Sequence, residues 1–597
     1  MAISIAVATS SLYAADSQLS FSNTFSLSDA QTPDLGEAFK AKLVRLGNGA
    51  LISVFGDGAD ATKVVYDLKG DVERPARDIF IRTCPTASVD CSVEENWSEP
   101  ENVSGTAALS SMTTDWQGDN GEPSAYWGDS DKPNISNGGS NIMVTWVDKY
   151  CDALEGDIDG TNQRSVSYLT RDNREIPFSC TWAKHATVDA DGTITWGSVA
   201  EQLSDASRDA KQDVSKVNAL GKAVVSWQED PLGLQIGNAD GPGDGASGAT
   251  ASHGTDIWFT TATNEITKFD ASQVAVAGKT TSFTNVARLT DNATKTASGN
   301  HGVIKDAAGL VILDDVIDGG QAAATRANTA LVGPTIVVAY EETKGSEGLA
   351  IGKFVRYHSF PYTLDPSAVD DANQIGCIIS NPLENARRVR FMPQASNLIA
   401  AGDDTITDAG LRMGIIWKEG EFDQGGPSDI MVRMAFDGVA ATNMTPAVDA
   451  ACATSDYLVA EDLNNTAAMN LSSNTPVATN DNLADTTSTN NIENALAHRG
   501  AIVGNDLYVG YSYTNDWALS TYTNLENYDF WLRRYDAVTK AWTLPKNISN
   551  LLTKEITVRE PRIVKTPYTT STALGEYNPA GLAIAWGLQT NVASHIE

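Results

Sequence analysis

Four histidines lie at well-separated positions in the chain, each beside a stretch that reads as a β-strand. They are His253, His301, His358 and His498. Imidazole is a common ligand of copper, and a fold that gathers distant segments around one axis would bring such residues together. The pattern therefore predicts a copper site as one alternative, with Glu229 and Asp256 as acidic partners or ligands.

Three arginines stand at the starts of strands in different parts of the chain: Arg388, Arg499 and Arg562. A guanidinium group binds a carboxylate through two parallel hydrogen bonds, so three converging arginines would hold an acidic sugar. For such a reaction we add Glu229 and Asp256 to the arginines as catalytic candidates. The competing interpretation is structural, because arginines also pair with carbonyls and carboxylates of neighbouring strands.

An acidic turn resembles the front half of a calcium loop. Glu155, Asp157 and Asp159 alternate with other residues and precede Gly160. Alternating carboxylates before a glycine turn suit a hard cation, although the closing position is occupied by Val166, which has no side-chain oxygen. The turn predicts a structural calcium ion, and a solvated acidic turn is the alternative.

The six cysteines are even in number and form no Cys-x-x-Cys pair. Disulfides are therefore the favoured interpretation, and they indicate an oxidising compartment. Proximity in sequence suggests the pairs Cys84–Cys91, Cys151–Cys180 and Cys377–Cys452, while other pairings stay open. Residues 1–15 read as a secretory signal that ends in small residues, so we expect a mature chain from residue 16 that is secreted, periplasmic or on a bacterial cell surface.

Composition limits the partners of the chain. The 597 residues include 42 basic and 76 acidic side chains, for a net charge of −34. Such a balance excludes nucleic-acid binding through a basic face. After the signal no apolar run is long enough to span a bilayer, so no membrane span is expected in the mature chain.

Strands that end in an aromatic residue recur along the chain and must position the residues above. Their aromatic residues are Phe55, Trp146, Trp227, Tyr340, Trp417, Tyr511 and Trp586. We place each as the first strand of a unit; six are followed by a second strand, among them 77–83, 165–171 and 255–261, and several by a third. The pattern predicts an all-β fold over residues 16–597: a single seven-bladed β-propeller, closed by an N-terminal strand at 18–27, with long insertions at about 230–255 and 440–495. Two stacked β-sandwiches are the alternative.

The sequence also resembles a known family. The segments TDIWFTTATNEITKF, SDIMVRMAFDG and YDFWLRRYDAVTKAWTLP look like degenerate Asp-box hairpins of sialidase-like propellers. WQEDPLGLQ, NARRVRF, LRMGIIWKEG and REPRIVKTP are similar to segments of secreted bacterial "choice-of-anchor O" proteins. That resemblance implies export, a sialidase-like propeller and a surface anchor in many members, with no established reaction.

These observations give one leading function and two alternatives. The leading interpretation is a secreted or cell-surface propeller that binds an extracellular ligand, either a glycan or a protein, and its status as an enzyme stays open. The first alternative is a copper-dependent oxidoreductase similar to thiocyanate dehydrogenase. The second is a glycan-acting hydrolase of the sialidase type, because the fold alone does not select a function.

Overall fold

The structure is a computed structural model. It describes residues 25–28, 38–46, 49–68, 70–85, 89–118, 121–152, 162–168, 172–197, 199–218, 221–231, 233, 254–262, 283, 286–290, 292, 302–305, 311–316, 323–332, 335–343, 353–362, 377–380, 385–393, 413–420, 428–435, 468–473, 492–503, 506–536, 539–565, 568–571, 577–579 and 582–590.

The regular secondary structure of these residues is almost entirely β-strand. In chain order the strands are β1 (Phe39–Arg45), β2 (Leu51–Asp67), β3 (Val72–Cys84), β4 (Glu101–Asn102), β5 (Ser110–Thr114), β6 (Ser124–Trp127), β7 (Asp131–Gly138), β8 (Asn141–Asp148), β9 (Ser165–Tyr168), β10 (Arg174–Pro177), β11 (Cys180–Val188), β12 (Ile194–Trp196), β13 (Glu201–Gln202), β14 (Asp209–Val217), β15 (Ala223–Asp230), β16 (Asp256–Thr261), β17 (Ala287–Arg288) and β18 (Gly302–Lys305). They continue with β19 (Val311–Val316), β20 (Ala324–Val332), β21 (Thr335–Thr343), β22 (Lys353–Pro361), β23 (Cys377–Ile378), β24 (Asn385–Pro393), β25 (Met413–Gly420), β26 (Ser428–Ala435), β27 (Met469–Asn470), β28 (Asn494–Val503), β29 (Asp506–Thr514), β30 (Asp529–Asp536), β31 (Ala541–Trp542), β32 (Lys546–Asn547), β33 (Ile556–Lys565), β34 (Tyr568–Ser571), β35 (Tyr577–Pro579) and β36 (Leu582–Thr590). A 3₁₀ turn at Glu94–Asn96 and a π-helical turn at Leu519–Thr523 are short, and no helix of the described part is long and apolar enough to cross a membrane.

Consecutive strands form antiparallel meanders that we number as units 1 to 7. Units 1, 3, 4 and 5 are the four-stranded sheets β1 to β4, β14 to β17, β20 to β23 and β24 to β27. Unit 2 joins β7, β8, β11, β12 and β13, unit 6 joins β28 to β32, and unit 7 pairs β33 with β36. A side sheet in the order β10, β9, β18 and β19 lies outside this series, as do the hairpins β5–β6 and β34–β35.

Apolar packing joins each unit to the next. Buried clusters connect units 1 and 2, units 2 and 3, and so on to units 5 and 6. Between units 6 and 7 the rings of Phe530 and Trp586 stack with their centroids 6.0 Å apart. The first strand of every unit contacts the first strand of the following unit, from β1 and β7 through to β28 and β33. The seven first strands therefore stand side by side.

Each first strand contains a β-bulge in its first half, where two of its residues oppose one residue of the second strand. In every bulge one non-glycine residue has a left-handed backbone, with φ between 46° and 57°. These seven bulge residues are Lys40, Lys132, Gln212, Arg326, Arg388, Ala497 and Glu560. A left-handed residue that has a Cβ costs about 1 kcal/mol or more, so the surrounding sheet must hold it in place.

The aromatic residue of each repeat lies opposite the bulge. Phe55, for example, is the one residue of β2 between the partners of Phe39 and Lys42, and Trp417 is the one between the partners of Arg387 and Arg390. The other five units repeat this register. The aromatic residues of units 1 to 6 are at most 2% exposed, and burial of such a side chain stabilises the fold by roughly 1.5–3 kcal/mol.

The structure corrects two of the strand predictions. The seven aromatic strands are the second strand of each unit, because a bulged strand precedes every one of them. The segment 165–171 supplies β9 of the side sheet, and β11 takes its expected place in unit 2. Residues 1–15 and 234–250 lie outside the described residues, as does most of 440–495. Of the expected closing segment 18–27 only residues 25–27 are described, and they are not in a strand.

Two of the three predicted disulfides are confirmed, Cys84–Cys91 and Cys151–Cys180. The second bridge ties the end of unit 2's second strand to the start of its third strand. Cys452 lies outside the described residues, so its pairing with Cys377 stays a prediction. Two disulfides are compatible with an extracellular protein.

An alanine-to-glycine substitution should have opposite effects on stability at two positions of β28, one in the left-handed bulge and one in the extended part of the strand. Ala497→Gly removes the Cβ from a residue with φ 50°, so we expect the free energy of unfolding to rise by up to about 1 kcal/mol. Ala495→Gly, in the buried extended part of the same strand, should lower it by about 1 kcal/mol. Urea denaturation measures both, and equal destabilisation by the two variants would contradict the role of the bulge.

Candidate functional site

The bulge residues gather at one end of the side-by-side first strands, and we call this end the bulge face. Four of its seven bulge residues are lysine or arginine, in a chain whose acidic residues outnumber its basic residues by 76 to 42. Because a bulge redirects the side chains on either side of it, the repeated irregularity aims these cations away from the sheet ladder. The bulge face is therefore a local concentration of positive charge on an acidic protein.

One part of the bulge face is a group of five arginines from units 4 to 7. This arginine group comprises Arg326, Arg388, Arg390, Arg499 and Arg562. Burial, together with the positive charges of Arg390 and Arg562, lowers the pKa of Arg499 to about 10. Burial also lowers the pKa of Arg388, with the charge of Arg326 as the next cause. The structure thus brings the three predicted arginines together and adds two more.

The arginine group has few carboxylates of its own. Arg562 and Arg499 share Glu560, at 3.0 and 3.8 Å, and the Glu560 side chain is 78% exposed. Glu341 lies 3.9 Å from Arg326, but it also forms an ion pair of 3.6 Å with the buried Lys353. Among the described residues the guanidinium groups of Arg388 and Arg390 have no hydrogen-bond or ion-pair partner. Both arginines are half-buried, and removing a cation from water without a direct partner is costly, so this arrangement favours an added anion.

Beside the arginine group the bulge face opens into a cavity of about 330 Å³. Its cations from the first strands are Lys40, Lys132, Lys211 and Arg326, and further cations are Arg74, Arg77 and Lys149. Its acids are Asp67, Asp129, Asp131 and Asp209. Cations therefore outnumber acids in the cavity, seven to four, in contrast to the whole chain.

Most of the cavity's charges are paired within the protein. Arg74 makes two hydrogen bonds of 2.7 Å to Asp129, and Lys211 lies 2.6 Å from Asp209. Lys132 is the exception, because among the described residues its ammonium group makes no hydrogen bond or ion pair. Burial is the largest cause that lowers the pKa of Lys132. The cavity thus holds one half-buried cation that is available to a ligand.

The long β2–β3 hairpin of unit 1 and strands outside the seven units form the outer wall of the cavity. The long β2–β3 hairpin, the β5–β6 hairpin and the side sheet pack through one apolar cluster. This packing presents Tyr66 and Tyr168 to the cavity, and Phe39 at the first bulge adds a third ring. Tyr168 is fixed by a hydrogen bond of 2.7 Å from its hydroxyl to the carbonyl of Gly233. Aromatic rings with a few placed polar groups are typical of pockets for small ligands.

The two predicted catalytic carboxylates lie together, but they are embedded in unit 3. Glu229 and Asp256 are direct register partners of β15 and β16. Glu229 accepts a hydrogen bond of 2.7 Å from Trp227, and Glu419 of unit 5 accepts one of 2.9 Å from Trp417 in the same way. Burial raises the pKa of Glu229 to about 8. Repetition in another unit indicates a structural role for this pair.

Asp256 belongs to a hydrogen-bond motif that recurs between the third strand of a unit and the segment that follows this strand. In six units a backbone N–H of the third strand donates to a Ser or Thr hydroxyl. The pairs are Ile79 to Ser104, Thr181 to Ser204, Ile257 to Thr290, Val355 to Ser380, Ile430 to Ser472 and Phe530 to Ser549. In four units that hydroxyl donates to an aspartate of the third strand, namely Asp78, Asp256, Asp429 and Asp529. This hydrogen bond accounts for the aspartate in the segments TDIW, SDIM and YDFW of the sequence repeat.

Two of the four predicted copper ligands are described, and the structure does not bring them together. His358 is stacked on Tyr340 and shares a hydrogen bond of 2.9 Å with its hydroxyl, and burial lowers the pKa of His358 to about 3. His498 contacts the carbonyl of Arg388 at 2.7 Å, and burial lowers its pKa strongly. His253 and His301 lie outside the described residues, so the copper site stays a prediction.

The predicted calcium ligands Glu155, Asp157 and Asp159 also lie outside the described residues. Within the described ranges no group of three or more His, Cys, Asp or Glu side chains is placed to hold a metal ion. The calcium site therefore stays a prediction as well.

Sequence reasoning missed Lys132, Arg326 and Arg390. The aromatic repeat could have located the bulge residues, because the aromatic residue of each unit lies opposite a bulge. In unit 2, counting back from Trp146 across the β7–β8 turn leads to Lys132. The same count from Tyr340 leads to Arg326.

Comparisons with known proteins do not assign the chain to a family. No protein-family profile matches it, and no curated protein is similar to it in sequence. Among solved structures, Trypanosoma rangeli sialidase in complex with the inhibitor DANA aligns at a TM-score of 0.31 and 8% identity, over 83% of this chain and 54% of that chain. This chain thus spans about half the length of that sialidase.

Two further solved structures align over most of both chains. The α-L-arabinofuranosidase Arb93A from Fusarium graminearum has a TM-score of 0.28 and 9% identity, over 93% of each chain. The polysaccharide lyase Uly1 has a TM-score of 0.33 and 9% identity, over 79% of this chain and 74% of that chain. At such values the function has to be argued from the site itself.

The buried Glu229 predicts a pH dependence of stability. Its pKa rises from an ordinary 4.5 to about 8 in the folded protein, so within this window the unfolded chain releases a proton that the folded chain keeps. Stability from this group is therefore lost as the pH rises towards 8. Glu229→Gln, which cannot ionise, should gain stability relative to wild type between about pH 5 and pH 8.

Urea denaturation across this pH range tests the prediction, with the exposed Glu95→Gln as the matched control. Parallel pH profiles of wild type and Glu229→Gln would show that the carboxyl is ionised in the folded protein.

Proposed function

We propose that the chain is an extracellular ligand-binding protein, a seven-bladed β-propeller whose bulge face binds an anionic saccharide. The seven consecutive units, each contacting the next through its first strand, support the propeller. The two disulfides support an extracellular location. In a propeller the bulge face would be one mouth of the central channel.

The arginine group carries the proposal. Among the described residues no carboxylate forms an ion pair with the guanidinium group of Arg388 or Arg390, although the charges of Glu341 and Glu560 act on both from a greater distance. Guanidinium groups bind carboxylates and sulfates through parallel hydrogen bonds, and partial burial strengthens such bonds. A saccharide supplies such an anion on a polar ring whose apolar face suits the aromatic wall of the adjoining cavity.

Binding of D-glucuronate measured by isothermal titration calorimetry tests the proposal, with D-glucose as the neutral counterpart. We expect D-glucuronate to bind and its affinity to fall with added salt, because the attraction is electrostatic. Arg388→Gln should weaken binding by about 10-fold to 100-fold, since a hydrogen bond to a charged group contributes about 1.5–3 kcal/mol.

The matched control is Arg45→Gln, which removes the same charge from the exposed, opposite end of a first strand. It should leave the affinity unchanged. Equal binding of D-glucose and D-glucuronate, or equal losses in the two variants, would contradict a specific anion site at the arginine group.

A glycan-acting hydrolase of the sialidase type is the second candidate, because Arg388, Arg499 and Arg562 lie in one group. Release of 4-methylumbelliferone from its sialoside would support this function if Arg499→Gln abolished it and Arg45→Gln did not. Absence of turnover, combined with binding of D-glucuronate, would leave the binding function alone.

A further inference from the structure

The cavity and the arginine group are adjoining parts of one cationic surface. Arg326 lines the cavity, and after burial its charge is the largest cause that lowers the pKa of Arg388. The two parts come from different units: the cavity mainly from units 1 to 3 and the arginine group from units 4 to 7. A ligand that spans several units could therefore contact both.

Lys132 is the cation of the cavity that, among the described residues, forms no hydrogen bond or ion pair through its ammonium group. It occupies the bulge of unit 2 with φ 53°, so its placement costs backbone energy that a solvent-exposed lysine would not incur. Its neighbour Asp131 is engaged by Lys40 at 3.5 Å, and the nearby Asp209 is engaged by Lys211 at 2.6 Å. Two of the neighbouring carboxylates are thus committed to other cations. The third, Asp213, accepts a hydrogen bond from Thr145, and burial raises its pKa to about 6, so it offsets the charge of Lys132 only in part near neutral pH.

The cavity has the size and lining that a sugar ring needs. Its volume of about 330 Å³ falls within the range of small-ligand pockets, about 300–1,000 Å³. Tyr66 and Phe39 contribute rings to the lining, and cations already stack on both rings. Arg174 lies 4.0 Å from the Tyr66 ring, and Lys40 and Arg77 lie 4.2 and 4.3 Å from the Phe39 ring. The wall is therefore rigid before a ligand arrives, which reduces the entropic cost of binding.

We propose that the ligand is an oligosaccharide with at least two anionic groups, one bound by the arginine group and the next in the cavity at Lys132. This inference rests on the proposed function and extends it to a ligand class, namely acidic oligosaccharides whose charges are carboxylates or sulfates. Two linked contacts convert the second binding event into an intramolecular one, which raises the affinity well above that of a single acidic sugar.

Titration calorimetry with galacturonate monomer, dimer and trimer tests the inference. For wild type we expect the dimer or trimer to bind at least about tenfold more tightly than the monomer. Lys132→Gln should remove this gain and leave the monomer affinity within about twofold, because the monomer is held by the arginine group. Lys132→Arg, which keeps the charge, should retain the gain and guards against a loss caused by misfolding.

Lys546→Gln is the matched control, since Lys546 is exposed on an outer strand of unit 6. A second arm compares sulfated with non-sulfated disaccharides and distinguishes sulfate from carboxylate as the second anion. If monomer and oligomers bind equally, or if Lys132→Gln behaves as Lys546→Gln does, the second contact is refuted while the proposed function stands. If neither monomer nor oligomers bind, both are refuted.

Discussion

Face-to-face packing of consecutive sheets is the constraint on which the rest of the structure depends. The apolar clusters between units hold one second-strand aromatic residue after another, such as Trp146, Trp227 and Trp417, in complete burial. Because each sheet packs on the next, the first strands of all units stand side by side. Any feature that recurs in a first strand is thereby repeated at the same end of the molecule.

The bulge is that recurring feature, and it connects packing to function. One buried aromatic residue lies opposite two first-strand residues, and the left-handed backbone of one of these two accommodates the extra residue. Glycine would adopt this backbone without strain, yet all seven positions have other residues and four have a cation. A strained left-handed residue that carries a side chain in every unit indicates that these positions are selected for their side chains. Lys132 and Arg388 occupy two of these positions.

The sequence predicted the strands and two disulfides well, because these depend on local patterns and short separations. It also selected Arg388, Arg499 and Arg562, which the fold brings together. The first strand of each unit escaped prediction because a bulge interrupts the alternation on which strand patterns rely. Glu229 and Asp256 stay catalytic candidates from the sequence. Both are buried, and their contacts recur in unit 5, which favours a structural role. No sequence pattern reveals that the Lys132 ammonium group has no hydrogen bond or ion pair within the described part of the chain, since that depends on which carboxylates other cations have taken.

A crystal structure of the protein with tri-galacturonate at physiological salt tests the central claim most directly. The account predicts one sugar carboxylate within hydrogen-bond distance of Arg388 or Arg390 and another in the cavity beside Lys132. A trisaccharide ordered elsewhere, with the bulge face free of sugar, would contradict it.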